Sequence, residues 1–149
     1  MKAVIMAGGK GTRLRPLTCG MPKPMVPVAN RPMMEHIVYL LEKHGFKEMI
    51  ATLCYMPDSI RDYFTDGSEF GCEMSYSIED VPLGTAGSVK KLGKFTDETF
   101  VVISGDALTD IDLTKAVEYH KKNGASATIV LTKVSNPLEY GVVITDAEG

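Results

Sequence analysis

The amino-acid sequence predicts an α/β domain of three layers, α/β/α, built on a mostly parallel mixed sheet. Two observations predict this class. Short apolar segments with strand character alternate with segments that carry apolar residues at helical spacing. A glycine-rich stretch also follows the first apolar segment directly, as it does in many βα units. With 149 residues, 44% of them hydrophobic, the chain fits one domain and not two complete ones.

The first half of the chain is predicted to contain two βα units. Lys2–Ala7 is a buried strand, and the helix that follows it ends near Gly45. The apolar face of this helix is marked by Met34, Ile37, Val38 and Leu41. Met49–Tyr55 is the second strand, and Asp58 is the expected N-cap of a short helix that runs to about Thr65.

Two further units are predicted in the middle of the chain. Cys72–Ile78 alternates as a strand does, and Thr85 is the expected cap of a helix that carries Val89 and Leu92. Phe100–Ser104 is a short, dense apolar run, which is typical of a strand covered on both faces.

The last elements are one helix and two strands. Asp112 is the expected cap of a helix with Leu113, Ala116 and Val117 inward, and Gly124 ends it. Ala127–Lys133 and Gly141–Thr145 are predicted strands. In parallel sheets, ligands bind beyond the carboxyl ends of the strands, so chemistry is expected in the loops that follow the strands.

Composition excludes several classes of function. A net charge of -3 and a pI near 5.6 give no overall positive field that would attract DNA or RNA. The three cysteines are odd in number and lack CxxC spacing, which predicts reduced thiols and a cytoplasmic protein. No apolar stretch is long enough to span a bilayer, so we expect a soluble protein without a membrane partner.

The glycine-rich stretch runs from Ala7 to Pro16 and reads AGGKGTRLRP. Glycines let successive backbone N–H groups approach phosphate oxygens, and Arg13 could hold a triphosphate with its fork of donors. The pattern is neither a Walker loop, GxxxxGK[ST], nor a dinucleotide loop, which would require a third glycine where Leu14 stands. An ordinary tight turn explains the glycines equally well when they are taken alone.

A second basic position follows the loop. Lys23 lies between Pro22 and Pro24, and because proline restricts the backbone to few states, the lysine is presented from a stiff segment. Such a lysine suits a phosphate. Taken alone, a solvated charge in a proline-rich loop explains it better.

Two segments together resemble the signature of the NDP-sugar pyrophosphorylases, the sugar-1-phosphate nucleotidyltransferases: Met6–Thr18 and Pro22–Val28. Within the family, the two segments resemble especially those of mannose-1-phosphate guanylyltransferases and of glucose-1-phosphate thymidylyl- or adenylyltransferases, and the expectation is a guanylyltransferase that uses mannose-1-phosphate. The resemblance implies a Rossmann-like nucleotidyltransferase fold, a nucleoside triphosphate and a sugar-1-phosphate as ligands, and Mg²⁺ as cofactor. It implies that Lys23 contacts the α-phosphate or the sugar phosphate. It also implies that the nucleotide phosphates are surrounded by Ala7, Gly8, Gly9, Gly11, Thr12 and Arg13.

The segment Glu79–Gly87 resembles the base-reading loop of that family, which implies that Glu79 and Gly84 hold the base. A carboxylate only accepts hydrogen bonds, and guanine offers two adjacent donors, whereas uracil and thymine offer one N–H between two carbonyl oxygens. Glu79 therefore favours GTP. Reading by Asp80 or by backbone groups stays open, as does a solvated charge at the strand end.

The resemblance also assigns a metal and a sugar position. Ser104-Gly105-Asp106 ends an apolar strand, and the family match makes Asp106 the Mg²⁺-binding carboxylate, with the glycine allowing a sharp turn. Tyr140 and Gly141 match the segment that approaches the sugar. A simple loop-to-strand turn explains these two residues almost as well.

The implied reaction is attack by a sugar-1-phosphate oxygen on the α-phosphorus with release of pyrophosphate, and Arg13, Lys23 and Asp106 are its expected catalytic residues. All three act electrostatically, without a covalent intermediate. The match covers the amino-terminal part of the family, so residues 1–149 are expected to be the nucleotide-binding part of the domain, truncated on the C-terminal side.

Because the sugar-binding part is largely absent, we expect the chain alone to be weakly active or inactive. Two alternatives stay open. The first is a glucose-1-phosphate thymidylyl-, uridylyl- or adenylyltransferase. The second is a non-catalytic, pyrophosphorylase-like regulatory module. A homo-oligomer is compatible with either.

Overall fold

A parallel sheet of four strands forms the centre of the computed structural model, which describes residues 1–136 and 140–146. Two two-residue strands pair separately as an antiparallel ribbon. The strands are β1 (Lys2–Met6), β2 (Pro27–Val28), β3 (Arg31–Pro32), β4 (Glu48–Leu53), β5 (Glu73–Ile78) and β6 (Phe100–Ser104). The sheet order is β5-β4-β1-β6, and every pairing within it is parallel.

Helices connect the strands of the sheet. They are α1 (Met33–Lys43), α2 (Pro57–Phe64), α3 (Gly84–Lys91) and α4 (Leu113–Asn123). α1 joins β1 to β4, α2 joins β4 to β5, and α3 joins β5 to β6, so each crossover between parallel strands contains a helix. The predicted α/β class with a mostly parallel sheet is confirmed.

The core is built from β1 and the inner face of α1. Ala3, Val4 and Ile5 are fully buried in β1. The helix buries the apolar residues that its spacing predicted, namely Met34, Ile37, Val38 and Leu41. Because β1 is paired on both edges, by β4 and by β6, its carboxyl end is held rigidly in the middle of the sheet.

The strand order places a crevice beside β1. From β1 the chain moves outward through β4 to β5, and it then returns past β1 to form β6 on the other side. Connections that leave the neighbouring strands in opposite directions open a crevice at their carboxyl ends, where α/β proteins bind ligands. The loops after β1 and β6 meet at this crevice.

Two helix starts differ from the predicted ones. α2 begins at Pro57, after Met56, so Asp58 lies inside the first turn and accepts a hydrogen bond from Arg61 at 3.4 Å. Proline is favoured at the first helical position because its φ is already helical and it has no N–H to satisfy. α3 begins at Gly84, which places Thr85 inside the helix and not at its cap.

β6 is also less covered than its sequence suggests. The side chain of Val102 is 42% exposed, so the prediction of a strand covered on both faces is wrong. Among the described residues β6 pairs only with β1, and it therefore forms an edge of the sheet. A dense run of apolar residues indicates that a strand is buried on average, but it does not indicate whether the strand lies at the centre or at the edge of the sheet.

The chain divides into two compact units, Met1–Leu113 and Thr114–Gly149. In the second unit, residues 124–136 and 140–146 contain no strand, so the predicted strands Ala127–Lys133 and Gly141–Thr145 are wrong for this structure. Their apolar side chains are largely exposed, Ile129 by 72% and Ile144 by 94%. A strand needs a backbone partner, and β-branched residues alone do not supply one.

Two further findings concern the apolarity of the helices and the state of the cysteines. No helix within residues 1–136 and 140–146 combines the length and the apolarity that crossing a membrane requires. Cys19, Cys54 and Cys72 are free thiols.

Candidate nucleotide-binding site

The loop that follows β1 presents a row of backbone donors. The N–H of Ala7 still belongs to the sheet, since it donates to the carbonyl of Thr52 at 3.0 Å. From Gly8 to Arg13, no backbone N–H donates to another described residue. Unpaired N–H groups in a glycine-rich turn form a concave surface that attracts anions. The segment that the sequence predicts as a phosphate loop therefore has the donors that this role needs.

Gly11 fixes the shape of this loop. Its backbone is left-handed, with φ 61° and ψ 33°. A Cβ atom at this position would lie 2.8 Å from Cβ of Lys23 and 3.0 Å from Cγ2 of Thr18. The Gly11 carbonyl accepts two hydrogen bonds, from the Thr18 hydroxyl at 2.8 Å and from the Leu14 N–H at 2.9 Å. Both the dihedral angles and the packing demand glycine here.

Lys23 and Asp106 form an ion pair, although they lie far apart in the sequence. The Lys23 Nζ is 2.7 Å from Asp106 Oδ2, and each side chain is 28% exposed. The other carboxylate oxygen accepts a hydrogen bond from the Ser104 hydroxyl at 2.5 Å. Burial by itself raises the pKa of Asp106, but the hydrogen bonds from Lys23 and Ser104 outweigh it and hold the pKa below its usual 3.8.

Gly105 allows Asp106 to reach this position, for a reason that differs from the predicted one. The N–H of Gly105 donates to the Met6 carbonyl at 2.9 Å, which continues the β1–β6 ladder. A Cβ atom on Gly105 would lie 3.2 Å from Cγ2 of Ile5. Its φ is not positive, so glycine is needed for close approach to β1 and not for a sharp turn.

Glu79 lies directly after β5 and is only 5% exposed. One carboxylate oxygen, Oε2, accepts the N–H of Leu83 at 3.3 Å. The other, Oε1, is buried and has no hydrogen-bond partner among the described residues. A buried carboxylate oxygen without a donor is costly, and Glu79 is one of the residues that line the cavity described below, so this oxygen is a candidate for a ligand's donors.

The loop after Glu79 is held by a second contact. Gly84 opens α3 with φ 73°, and its carbonyl accepts the Ser88 hydroxyl at 2.8 Å. Ser88 is itself buried, 8% exposed. The start of α3 is therefore fixed beside the carboxylate.

These groups surround one cavity of about 290 Å³ at the carboxyl end of the sheet. It brings together six of the predicted site residues: Ala7, Gly8, Gly9, Glu79, Gly84 and Asp106. Lys23 joins them through its ion pair with Asp106, and its neighbour Pro24 lines the wall. Thr52, Cys54 and Ser88 also line the cavity. Sequence reasoning missed these three, because only the strand pairing reveals which side chains of β4 and α3 face this side.

Some predicted residues lie elsewhere. Thr12 and Arg13 are on an exposed 3-10 turn, Thr12–Leu14, next to the cavity wall and not in it. Tyr140 and Gly141 belong to the second unit and are exposed. Their assignment to a sugar stays a prediction. Three residues of the motif that carried it, 137–139, lie outside the described residues.

The donor set around Asp106 suits a hard cation. Mg²⁺ prefers oxygen ligands and usually binds through one or two carboxylates together with substrate phosphates. An ionised Asp106 has oxygens of this kind, and because Oδ2 is paired with Lys23 in this structure, a cation would take the place of the lysine at that atom. Within the described residues no cluster of three or more His, Cys, Asp or Glu side chains could hold a metal, so phosphate oxygens would have to complete the shell.

Comparison with known proteins identifies the family. The model of the family described as nucleotidyl transferase matches residues 2–149, and the chain belongs to that family. A UTP–glucose-1-phosphate uridylyltransferase from Synechocystis sp. is 45% identical over an alignment of 163 residues, gaps included. The alignment covers 100% of this chain and 42% of that protein. A mannose-1-phosphate guanylyltransferase from Mycobacterium tuberculosis is 40% identical over 147 residues, which cover 98% of this chain and 41% of that protein.

A solved structure shows the same fold. HddC from Yersinia pseudotuberculosis, in complex with GMP-PN, is similar with a TM-score of 0.71 and 34% identity, covering 80% of this chain and 53% of that one. The chain thus spans about two-fifths of the length of the curated relatives named here, 42% and 41%.

Proposed function

We propose that this chain is the nucleotide-binding part of a sugar-1-phosphate nucleotidyltransferase that uses GTP and mannose-1-phosphate. One observation carries the proposal: a single cavity is lined by the glycines that begin a row of free backbone donors, by the aspartate of a lysine–aspartate pair and by a glutamate with an unpaired buried oxygen. The backbone donors would bind the phosphates, the lysine–aspartate pair would lie beside the reacting phosphorus, and the glutamate would bind the base. Membership of the nucleotidyl transferase family supports this assignment.

The proposed reaction forms a bond from a sugar-1-phosphate oxygen to the α-phosphorus and breaks the bond from that phosphorus to the bridging oxygen of pyrophosphate. Lys23 would neutralise charge on the oxygens of the α-phosphorus, because its ammonium lies 2.7 Å from Asp106, which lines the cavity. The N–H groups of the loop and the exposed Arg13 would hold the outer phosphates of the leaving group.

Asp106 would hold Mg²⁺, which when bound supplies charge neutralisation to the phosphates. The chain itself contributes the orientation of that carboxylate. The hydrogen bond from Ser104 and the close packing of Gly105 against β1 keep Asp106 aimed toward the cavity. Every contribution is one of position or charge, which is how phosphoryl transfer is usually catalysed.

Glu79 supports GTP over the other nucleotides. Its Oε1 has no partner, and its Oε2 already accepts one backbone N–H, so the carboxylate can accept further donors but can donate nothing. Guanine brings adjacent N1–H and amino donors to such a group. Uracil and thymine would bring one donor flanked by two carbonyl oxygens, which repel a carboxylate.

A second candidate is a glucose-1-phosphate uridylyltransferase. It is favoured by the Synechocystis relative, whose identity to this chain, 45%, exceeds the 40% of the Mycobacterium guanylyltransferase. The two candidates share the phosphate loop and the Lys23–Asp106 pair, and they differ in the base and in the sugar. Because the proposed base-reading residue, Glu79, lies in this chain, nucleotide binding by the chain separates them first.

Isothermal titration calorimetry with GTP, UTP, dTTP and ATP, each with Mg²⁺, tests the proposal. GTP should bind most tightly, and Glu79→Gln should weaken it by about ten- to hundredfold, the effect expected for hydrogen bonds to a charged group. Asp80→Asn is the matched control, since Asp80 is the exposed neighbouring carboxylate and should leave the affinity unchanged.

The outcomes separate the candidates. Preference for UTP would replace the guanylyl assignment by the uridylyl one. Loss of affinity in Asp80→Asn and not in Glu79→Gln would move the base-reading role to Asp80. Absence of binding by every triphosphate, on folded protein, would overturn the proposal as a whole. A pyrophosphate-release assay with mannose-1-phosphate and glucose-1-phosphate, performed on the protein at the full length of its relatives, then decides the sugar.

A further inference from the structure

Thr18 is a buried hydroxyl that the proposed reaction does not use. It is 1% exposed, although it lies in a connecting segment between the phosphate loop and Lys23. A polar side chain in a loop is usually solvated, so complete burial of a threonine indicates that its two substituents both make defined contacts. The hydroxyl contacts Gly11, and the methyl group lies beside the position where a side chain on Gly11 would stand.

The hydroxyl and the methyl group constrain Gly11 in two different ways. Oγ1 donates to the Gly11 carbonyl at 2.8 Å, and Cγ2 would lie 3.0 Å from a Cβ on that glycine. The methyl group thus occupies the space in which a side chain at residue 11 would stand. The hydroxyl fixes the direction of the carbonyl, which also accepts the Leu14 N–H.

The direction of that carbonyl determines what the loop offers to a ligand. The peptide bond between Gly11 and Thr12 is trans, and in a trans peptide the C=O and the following N–H point in opposite directions. With the Gly11 carbonyl held toward Thr18, the N–H of Thr12 points away from it, to the exposed side of the loop. That N–H donates to no other described residue.

We propose that Thr18 is a positioning residue for phosphate binding: it turns the Gly11–Thr12 peptide so that the Thr12 N–H faces the triphosphate. Thr18 touches no ligand and acts only through Gly11. The inference rests on the proposed function, because it assumes that the loop binds phosphates. It adds a residue whose contribution is specific to the phosphate part of the ligand and independent of the base.

Calorimetry with three probes tests the proposal: Mg²⁺-tripolyphosphate, Mg²⁺-GTP and guanosine, which lacks phosphate. Thr18→Val keeps the shape of the side chain and removes the hydroxyl. We expect it to weaken tripolyphosphate and GTP by about three- to tenfold, the effect of one neutral hydrogen bond, and to leave guanosine unchanged. Thr18→Ser keeps the hydroxyl and should bind both phosphate ligands within about twofold of the unsubstituted protein.

The readouts distinguish three failures. If the unsubstituted protein binds neither phosphate ligand, the proposed function itself fails. If it binds them and Thr18→Val binds equally well, the positioning role is wrong while the function stands. If Thr18→Val weakens guanosine as much as GTP, Thr18 merely supports the fold, and the inference is again overturned.

A second pair of variants keeps the test valid if Thr18→Val does not fold. Thr18→Ala and Thr18→Ser both lack the methyl group and differ only in the hydroxyl, so their difference isolates the hydrogen bond. Thr18→Ser should bind tripolyphosphate about three- to tenfold more tightly than Thr18→Ala. Equal affinity of the two variants would contradict the proposal.

Discussion

The glycines of the loop after β1 differ in whether another residue could replace them, although the sequence shows only that the loop is rich in glycine. Gly11 has a left-handed backbone and is in contact with Lys23 and Thr18. Gly9 has no positive φ, and a Cβ added to it would meet nothing within 4 Å. The loop therefore contains a position where only glycine fits and another where alanine would be tolerated.

This contrast gives a matched pair of variants. Gly11→Ala should lower the free energy of unfolding by about 1–3 kcal/mol, since it adds both backbone strain and overlap. Gly9→Ala should change it by less than about 0.5 kcal/mol. Urea denaturation followed by circular dichroism measures both. Equal effects of the two substitutions would show that the left-handed geometry of Gly11 is not required.

At the same scale, some residues were singled out by the motif that surrounds them. Lys23 and Asp106 were each assigned from the resemblance of their motifs to the family, and the structure brings the two side chains to 2.7 Å from each other. Thr52 and Ser88 line the same cavity and were missed, because nothing in their local sequence separates them from other small polar residues in regular elements. Their position depends on strand pairing, which involves residues distant in the chain.

Among the elements, α1 and α2 are joined by a polar contact at their surface. The Tyr63 hydroxyl, on α2, donates to Oε2 of Glu35, on α1, at 2.5 Å. Glu35 is 5% exposed, and Arg31 lies 3.4 Å from its other oxygen. This hydrogen bond first, and burial second, raise the pKa of Tyr63 to about 12. Both carboxylate oxygens of Glu35, a buried residue of α1, therefore have a partner.

Tyr63→Phe tests this link. At pH 7 it should lower the free energy of unfolding by about 1 kcal/mol, the value for a hydrogen bond to a charged group reduced for partial exposure. A raised pKa in the folded state stabilises the protein below the unfolded value of 10.0, and this contribution is lost as pH rises toward 12. The difference between the two proteins should therefore shrink at pH 11.

Tyr119→Phe is the control for this prediction. Tyr119 lies on α4 and is 50% exposed, so removal of its hydroxyl should leave the free energy of unfolding unchanged at both pH values. A penalty for Tyr63→Phe that stays constant from pH 7 to pH 11 would contradict the assignment of the effect to the hydrogen bond with Glu35.

At the scale of the elements, prediction succeeded where periodicity and burial agree. The apolar face of α1 was read from its spacing, and all its members are buried. The apolar, β-branched pattern of Ala127–Lys133 predicts a strand as clearly as the spacing in α1 predicts a helix, yet these residues form no strand in the described structure. The two cases differ in their partners: α1 packs against elements that the chain provides nearby, whereas a strand is decided by a neighbouring strand that local sequence does not contain.

For the molecule as a whole, the two compact units should differ in local stability. In Met1–Leu113 the strands share long ladders, while residues 125–135 donate no hydrogen bond from backbone to backbone in the described structure. Hydrogen exchange measured by mass spectrometry should therefore show the slowest amides in β1 and β4 and fast exchange across residues 125–135. Protection there equal to that of β1 would show that this segment does form a paired strand.

The unpaired oxygen of Glu79 has a consequence for the proposed base recognition. Keeping a carboxylate oxygen from water without a donor costs free energy. A base that brings a matching N–H would recover this cost, and a base that brings a carbonyl would add to it. Selectivity would then come from removing an existing cost as well as from forming a new hydrogen bond.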